Sequence, residues 1–136
     1  MRHHREVFEA MRARPGMYVR DVRYSVVAAF LLGYDAACEG GVLVGFREWL
    51  AVRLGAGWNL DWQALVLDIA FPETQSAEAA VSASPDSEQR AIDTLFALIA
   101  EFEEARRGPD ALMTIYASYQ KAAPANPSSV SVRKRE

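Results

Sequence analysis

Large apolar residues fall along this chain in stripes spaced three and four apart, and glycine or proline cuts off each stripe. Val7, Phe8 and Met11 open the series and predict a short helix over residues 3–13, ended by Arg14-Pro15-Gly16. Pro15 lacks the amide hydrogen that a continuing helix needs and biases Arg14 away from the helical region, while Gly16 permits positive φ, so the chain turns there. Val27, Phe30, Leu31, Tyr34 and Cys38, widened by Val26 and Ala37, predict a buried helix of about four turns from Asp21 to Cys38. Asp21 and Ser25 are candidate N-caps for it, and Glu39-Gly40-Gly41 supplies a left-handed stop. Phe46, Trp49, Leu50, Arg53 and Leu54 predict a third helix, broken by Gly55-Ala56-Gly57. A fourth, with Asn59 as its N-cap, carries Trp62, Leu65, Val66 and Ile69 on one face up to Pro72, with Asp61 and Asp68 beside that face, toward solvent.

Residues 73–84, ETQSAEAAVSAS, hold few large apolar groups and read as a linker or surface loop. Ser84-Pro85-Asp86 is a strong helix start: the serine accepts from a free amide, proline suits the first helical position and an acid complements the dipole. Ile92, Leu95, Phe96, Ile99 and Phe102 then form a long stripe that ends before Gly108-Pro109. Leu112, Ile115, Tyr116 and Tyr119 suggest a weaker last helix. Only Met17–Val19 and Val42–Val44 offer short strand possibilities. The pattern predicts an all-α, compact single-domain bundle of about five to six helices over residues 1–122, followed by a flexible tail over 123–136.

Composition changes little in this picture. A chain of 136 residues, 51% hydrophobic and 24% charged, has the core for one domain. Its single cysteine, Cys38, points to a reducing compartment, with cytoplasm the default. The apolar run VVAAFLLGY is about half the length of a membrane span, and Asp-Ala-Ala-Cys places a charge where a lipid-attachment signal wants an aliphatic residue, so no membrane association is expected. Charge matters more. The net charge of -3 divides into blocks: six Arg against three acids in residues 1–24, five Arg against fourteen acids in 25–110, and four bases against one acid thereafter. An acidic body repels nucleic acid and steers toward a basic partner.

Two resemblances attach to the corner. EAMRARPGMYVRD, with the later DAACEG, resembles the start of the ATPase domain of type II topoisomerase B subunits. Aligning the two ends without gaps puts Ala28 where that family has its general-base glutamate and Leu32 where it has its magnesium-binding asparagine. A methyl group cannot activate water and an isobutyl group cannot hold Mg²⁺. The order Arg-Pro-Gly-Met-Tyr, an apolar helix containing Gly33-Tyr34, Phe46-Arg-Glu-Trp49 and an acidic helix ending near Glu104 is similar to a group of small bacterial helical proteins that includes immunity proteins. That resemblance implies a binding protein that neutralises a toxin, with no catalytic residues to transfer.

The candidate chemistry follows suit. His3 and His4 are neighbours that do not face one another on a helix and have no third histidine, so no metal site or cofactor is expected. Cys38 sits on an apolar stripe, as a small buried hydrophobe does. Asp35 and Glu39 lie one turn apart without a convergent polar partner. Trp49 and Trp62 belong to core stripes, whereas Trp58 lies off any helix and is the better interface anchor. The expected partner-binding set is Trp58, Asp61, Asp68, Glu101, Glu103 and Glu104, facing a basic, toxin-like protein. The alternative is a small-molecule-binding accessory protein of a biosynthetic pathway with a tryptophan-lined apolar pocket, and a homodimer covering apolar helix faces would imitate either.

Overall fold

The computed structural model describes residues 3–125, so the expected tail lies outside the described residues from 126 onward. Helix α1, His4–Ala13, is capped by the His3 side chain, which accepts from the Arg5 amide, and buries Phe8 and Met11. Pro15–Met17 then forms one 3-10 turn, with the Tyr18 amide donating to the Pro15 carbonyl oxygen at 2.9 Å. The Arg-Pro-Gly-Met-Tyr stretch is thus a corner: Met17 is exposed, and Tyr18 sets its ring edge-on to Phe30.

Helix α2, Tyr24–Ala37, begins later than the pattern predicts, and neither Asp21 nor Ser25 caps it. Asp21 is held by Arg23 at 2.7 Å, and the first free amide, that of Tyr24, donates instead to Glu88 Oε1 at 2.8 Å. This long-range cap comes from a helix 64 residues away in the sequence, beyond the reach of any local rule. Glu39 and Gly40 in the left-handed region end α2, and the Gly40 amide closes on the Asp35 carbonyl oxygen at 2.8 Å. The Asp35 carboxylate accepts from the Val42 and Leu43 amides at 3.0 and 2.8 Å, and Arg106 donates to the carbonyl oxygens of Gly41, Val42 and Val44. Residues 42–44 are therefore a tied loop and form no strand.

Helix α3, Phe46–Leu54, runs between two left-handed glycines, Gly45 and Gly55. Helix α4, Trp62–Ala70, is capped by Asp61, whose Oδ1 accepts from the Ala64 amide at 2.8 Å; Asn59 lies two residues too early. Inside the segment expected to be a linker, Ser76 caps a short helix α5, Ala77–Val81, which buries Ala77 and Val81. This turn brings the count to seven α-helices among the described residues, above the five to six expected, and no strand is found among them. Helix α6, Pro85–Ala105, starts at its Ser84 cap and contacts α1, α2, α3, α4 and α5. Helix α7, Ala111–Ala122, packs on α3 and buries Ile115.

The core runs the length of α6. Phe46, Phe102, Met11, Leu31, Leu50 and Leu65 are fully enclosed, with the Phe46 and Phe102 rings 5.1 Å apart. Each such side chain contributes about 1.5–3 kcal/mol of transfer free energy.

Candidate functional site

Helix α2 carries no charged residue from Tyr24 to Tyr34. It buries Tyr24, Val27, Ala28 and Leu31, yet its opposite side, with Ser25, Ala29, Leu32 and Gly33, is exposed and also lacks charge. Leu32 keeps 47% of its surface in water. Beside this face, α2, α4, α5 and the start of α6 enclose a groove of about 490 Å³, within the range that holds ligands or anchoring side chains. Its apolar lining comes from Ala28, Ala29, Leu32, Ala64, Leu67 and Val81.

The rim is acidic. Asp61, Glu78 and Glu88 line the groove against one base, Arg23, and that base is already paired with Asp21. Asp61 is exposed and uses Oδ1 for the α4 cap, and Glu88 is bonded to the Tyr24 amide. Glu78 is exposed and takes part in no ion pair among the described residues. In the groove wall the Tyr24 hydroxyl donates to the Gln63 carbonyl oxygen at 2.7 Å. Burial, and after it the negative charge of Asp61, pushes the Tyr24 phenol far above its ordinary pKa, so it is a fixed neutral donor.

The six residues expected to bind a partner do not converge. Asp61 is in the groove rim. Trp58 is buried at 6% exposure, with its ring 5.8 Å from that of Tyr119. It is off any helix, as expected, but Arg47 folds its loop inward: the Arg47 guanidinium donates to the Trp58 carbonyl oxygen and, at 2.7 Å, to that of Leu60. Asp68, expected toward solvent, is 4% exposed, because α5 folds across the segment expected to be a loop and packs against α4. On α6, Glu101 pairs with Arg53, and Glu104 with Arg5 and Arg107 at 3.4 and 3.1 Å, while Glu103 is half-buried. These three lie some 13 or more residues beyond Glu88, about 20 Å along the same helix.

The tryptophans do not share a cavity. Trp62 is buried against Phe46, and half-buried Trp49 lines a separate cavity of about 330 Å³ with Val52, Ala105, Ala111, Thr114, Ile115 and Ser118. Cys38 is half-buried and His4 Nδ1 lies 2.8 Å from the Tyr34 hydroxyl. Among the described residues no three His, Cys, Asp or Glu side chains are grouped to hold a metal ion, and no helix is long and apolar enough to cross a membrane. Ala28 and Leu32, the positions that depart from the topoisomerase pattern, both line the groove.

Sequence reasoning missed Glu78, Glu88 and the outward side of α2. A signal was present for the last of these. The buried stripe accounts for Val27, Leu31 and their neighbours, but Ala29, Leu32 and Gly33 fall on the other side and are just as free of charge. No family model, curated protein or solved structure matches the chain.

Proposed function

We propose that this is a non-enzymatic, cytoplasmic protein-binding protein of the immunity type, which neutralises a basic, toxin-like partner by occupying its surface. The observation that carries this reading is the groove beside α2: an apolar lining on which Ala29 and Leu32 are exposed to water, rimmed by Asp61, Glu78 and Glu88. An exposed apolar patch framed by charge is the usual form of an interaction surface, and carboxylates around it favour a cationic partner and speed encounter. The acidic balance of residues 25–110 acts in the same direction at longer range. The mechanism is steric and electrostatic occlusion, in which no residue reacts.

Relative to the set expected from sequence, the binding surface moves from the α6 carboxylates to the α2 groove, because Glu101 and Glu104 already have arginine partners within the chain. The test is co-expression with a toxin-like domain encoded beside the gene. Growth rescue together with co-purification supports the reading, and failure of both rejects it. The small-molecule reading retains one specific support, the apolar cavity beside Trp49; a ligand there would quench Trp49 fluorescence without displacing a protein partner.

A further inference from the structure

We infer that the occupant of the α2 groove is a basic amphipathic helix of the partner, about two turns of it laid along α2 with its apolar side on Ala29 and Leu32 and its Lys or Arg side chains on Asp61 and Glu78. This deepens the reading of the protein as a binder of a basic partner and rests on it.

The geometry selects a helix. The groove runs beside α2, which lines it from Tyr24 to Leu32, a length of about 12 Å or a little over two turns. Its described walls are helices, with no strand edge among them, so an extended peptide finds no ladder of free backbone groups to join. A helix satisfies its own backbone and needs only side-chain complementarity. The small side chains of Ala28 and Ala29 on the groove wall let a second helix approach closely, and Leu32 stands as a ridge for its grooves.

Charge selects the partner. A second copy laid α2 against α2 offers no such complement, because that helix has no Lys or Arg between Tyr24 and Ala37 to meet the three rim carboxylates. Of these, Glu78 meets no cation among the described residues and Asp61 keeps Oδ2 beyond its capping bond, so both are available to a basic side chain. Glu88 is committed to the Tyr24 amide and contributes field more than contact.

The test uses the full chain and a labelled 14-residue helical peptide made of Leu at helical spacing and Lys elsewhere, with a Leu/Glu counterpart as control. Anisotropy gives affinity, and amide shifts of Ala28, Ala29 and Ala64 give location. Two variants probe the site. Ala29→Arg fills the exposed side of α2 with bulk and positive charge, and Asp61→Asn/Glu78→Gln removes charge while Asn keeps the helix cap. The Leu/Lys peptide is expected to bind, to shift the groove amides, to weaken with salt, to lose about 10-fold with the double variant and to fail with Ala29→Arg. Both variants are expected to keep the parent melting temperature within a few degrees.

Binding unaffected by Ala29→Arg, or equal binding of the Leu/Glu peptide, overturns the inference. So does a concentration-dependent dimer abolished by Ala29→Arg, which makes a second copy the occupant. A chain ending at Ala125 that binds the peptide tenfold more tightly also overturns it, since the chain's own Arg133, Lys134 and Arg135 then compete for the groove. The two levels separate cleanly. A toxin-like domain neutralised equally well by the Ala29→Arg protein rejects the groove and keeps the function; groove-dependent peptide binding without any toxin neutralisation does the reverse.

Discussion

The hydroxyl of Tyr24 donates to the carbonyl oxygen of Gln63 across 2.7 Å, joining the first turn of α2 to the first turn of α4 at one wall of the groove. Tyr24 is also the residue whose amide is capped by Glu88, so a single position ties three helices around the proposed binding surface.

That arrangement has a pH signature. Burial and the Asp61 charge raise the Tyr24 pKa in the folded protein above the ordinary 10.0, so the unfolded chain loses this proton first. The associated stability is fully present below pH 10 and declines as pH climbs toward the folded value, because above pH 10 the unfolded state binds fewer protons than the native state. Chemical denaturation from pH 8 to 11.5 is expected to show this alkaline loss in the parent and a flatter profile in Tyr24→Phe, which costs about 1 kcal/mol at neutral pH through the lost hydrogen bond. Identical slopes would disprove the assignment.

Arg47 is predicted to be the most sensitive polar position. Burial works against its charge, but hydrogen bonds and attraction from Tyr119 and Glu48 outweigh it and hold the guanidinium protonated. It also gathers the Trp58 and Leu60 carbonyl oxygens. Arg47→Ala is expected to cost about 3 kcal/mol in urea titration, and Arg47→Lys to recover less than half, since an ammonium cannot reproduce the planar fork. A loss under 1 kcal/mol for the alanine variant would contradict this.

Gly45 tests the junction of α3 and α7. Its φ is +89°, and a Cβ there would stand 2.6 Å from Leu112 Cδ1. Gly45→Ala should lose about 1–2 kcal/mol, mostly from backbone strain because the Leu112 methyl can shift. Gly33→Ala is the control: a Cβ meets nothing within 4 Å and the residue lies inside a helix, so it should be neutral or slightly stabilising.

At the start of α4, Asp61→Ala is expected to lower stability by about 1 kcal/mol and Asp61→Asn to leave it nearly unchanged, as thermal melts will report. Equal losses would mean that the charge of Asp61, and not its capping bond, stabilises the helix.

The helices that sequence periodicity predicts are those whose start and stop are local. The Ser84 cap and Pro85 mark α6, and Gly45 and Gly55 bracket α3, all by residues adjacent to the element. The errors arise where a distant residue decides. Glu88 fixes the start of α2, and contacts with α4 and α6 stabilise α5, whose five residues carry no apolar stripe of their own. The same cause governs the site. Asp68 is a carboxylate beside the apolar stripe of α4 and Trp58 follows the helix-breaking Gly57, which reads as exposure for both, but α5 and Arg47 enclose them from other parts of the chain. Asp61 is exposed, as the pattern predicts, but its cap is a local feature that the pattern assigns to Asn59, because both residue types can accept from a free amide and only the backbone path decides between them.

The most direct measurement is the dissociation constant between a neutralised toxin-like domain and the parent, Ala29→Arg and Asp61→Asn/Glu78→Gln proteins, by calorimetry at two salt concentrations. The account predicts salt-sensitive binding by the parent, a loss of about 10-fold or more for the double variant and no detectable complex with Ala29→Arg. Three equal affinities, indifferent to salt, would contradict it.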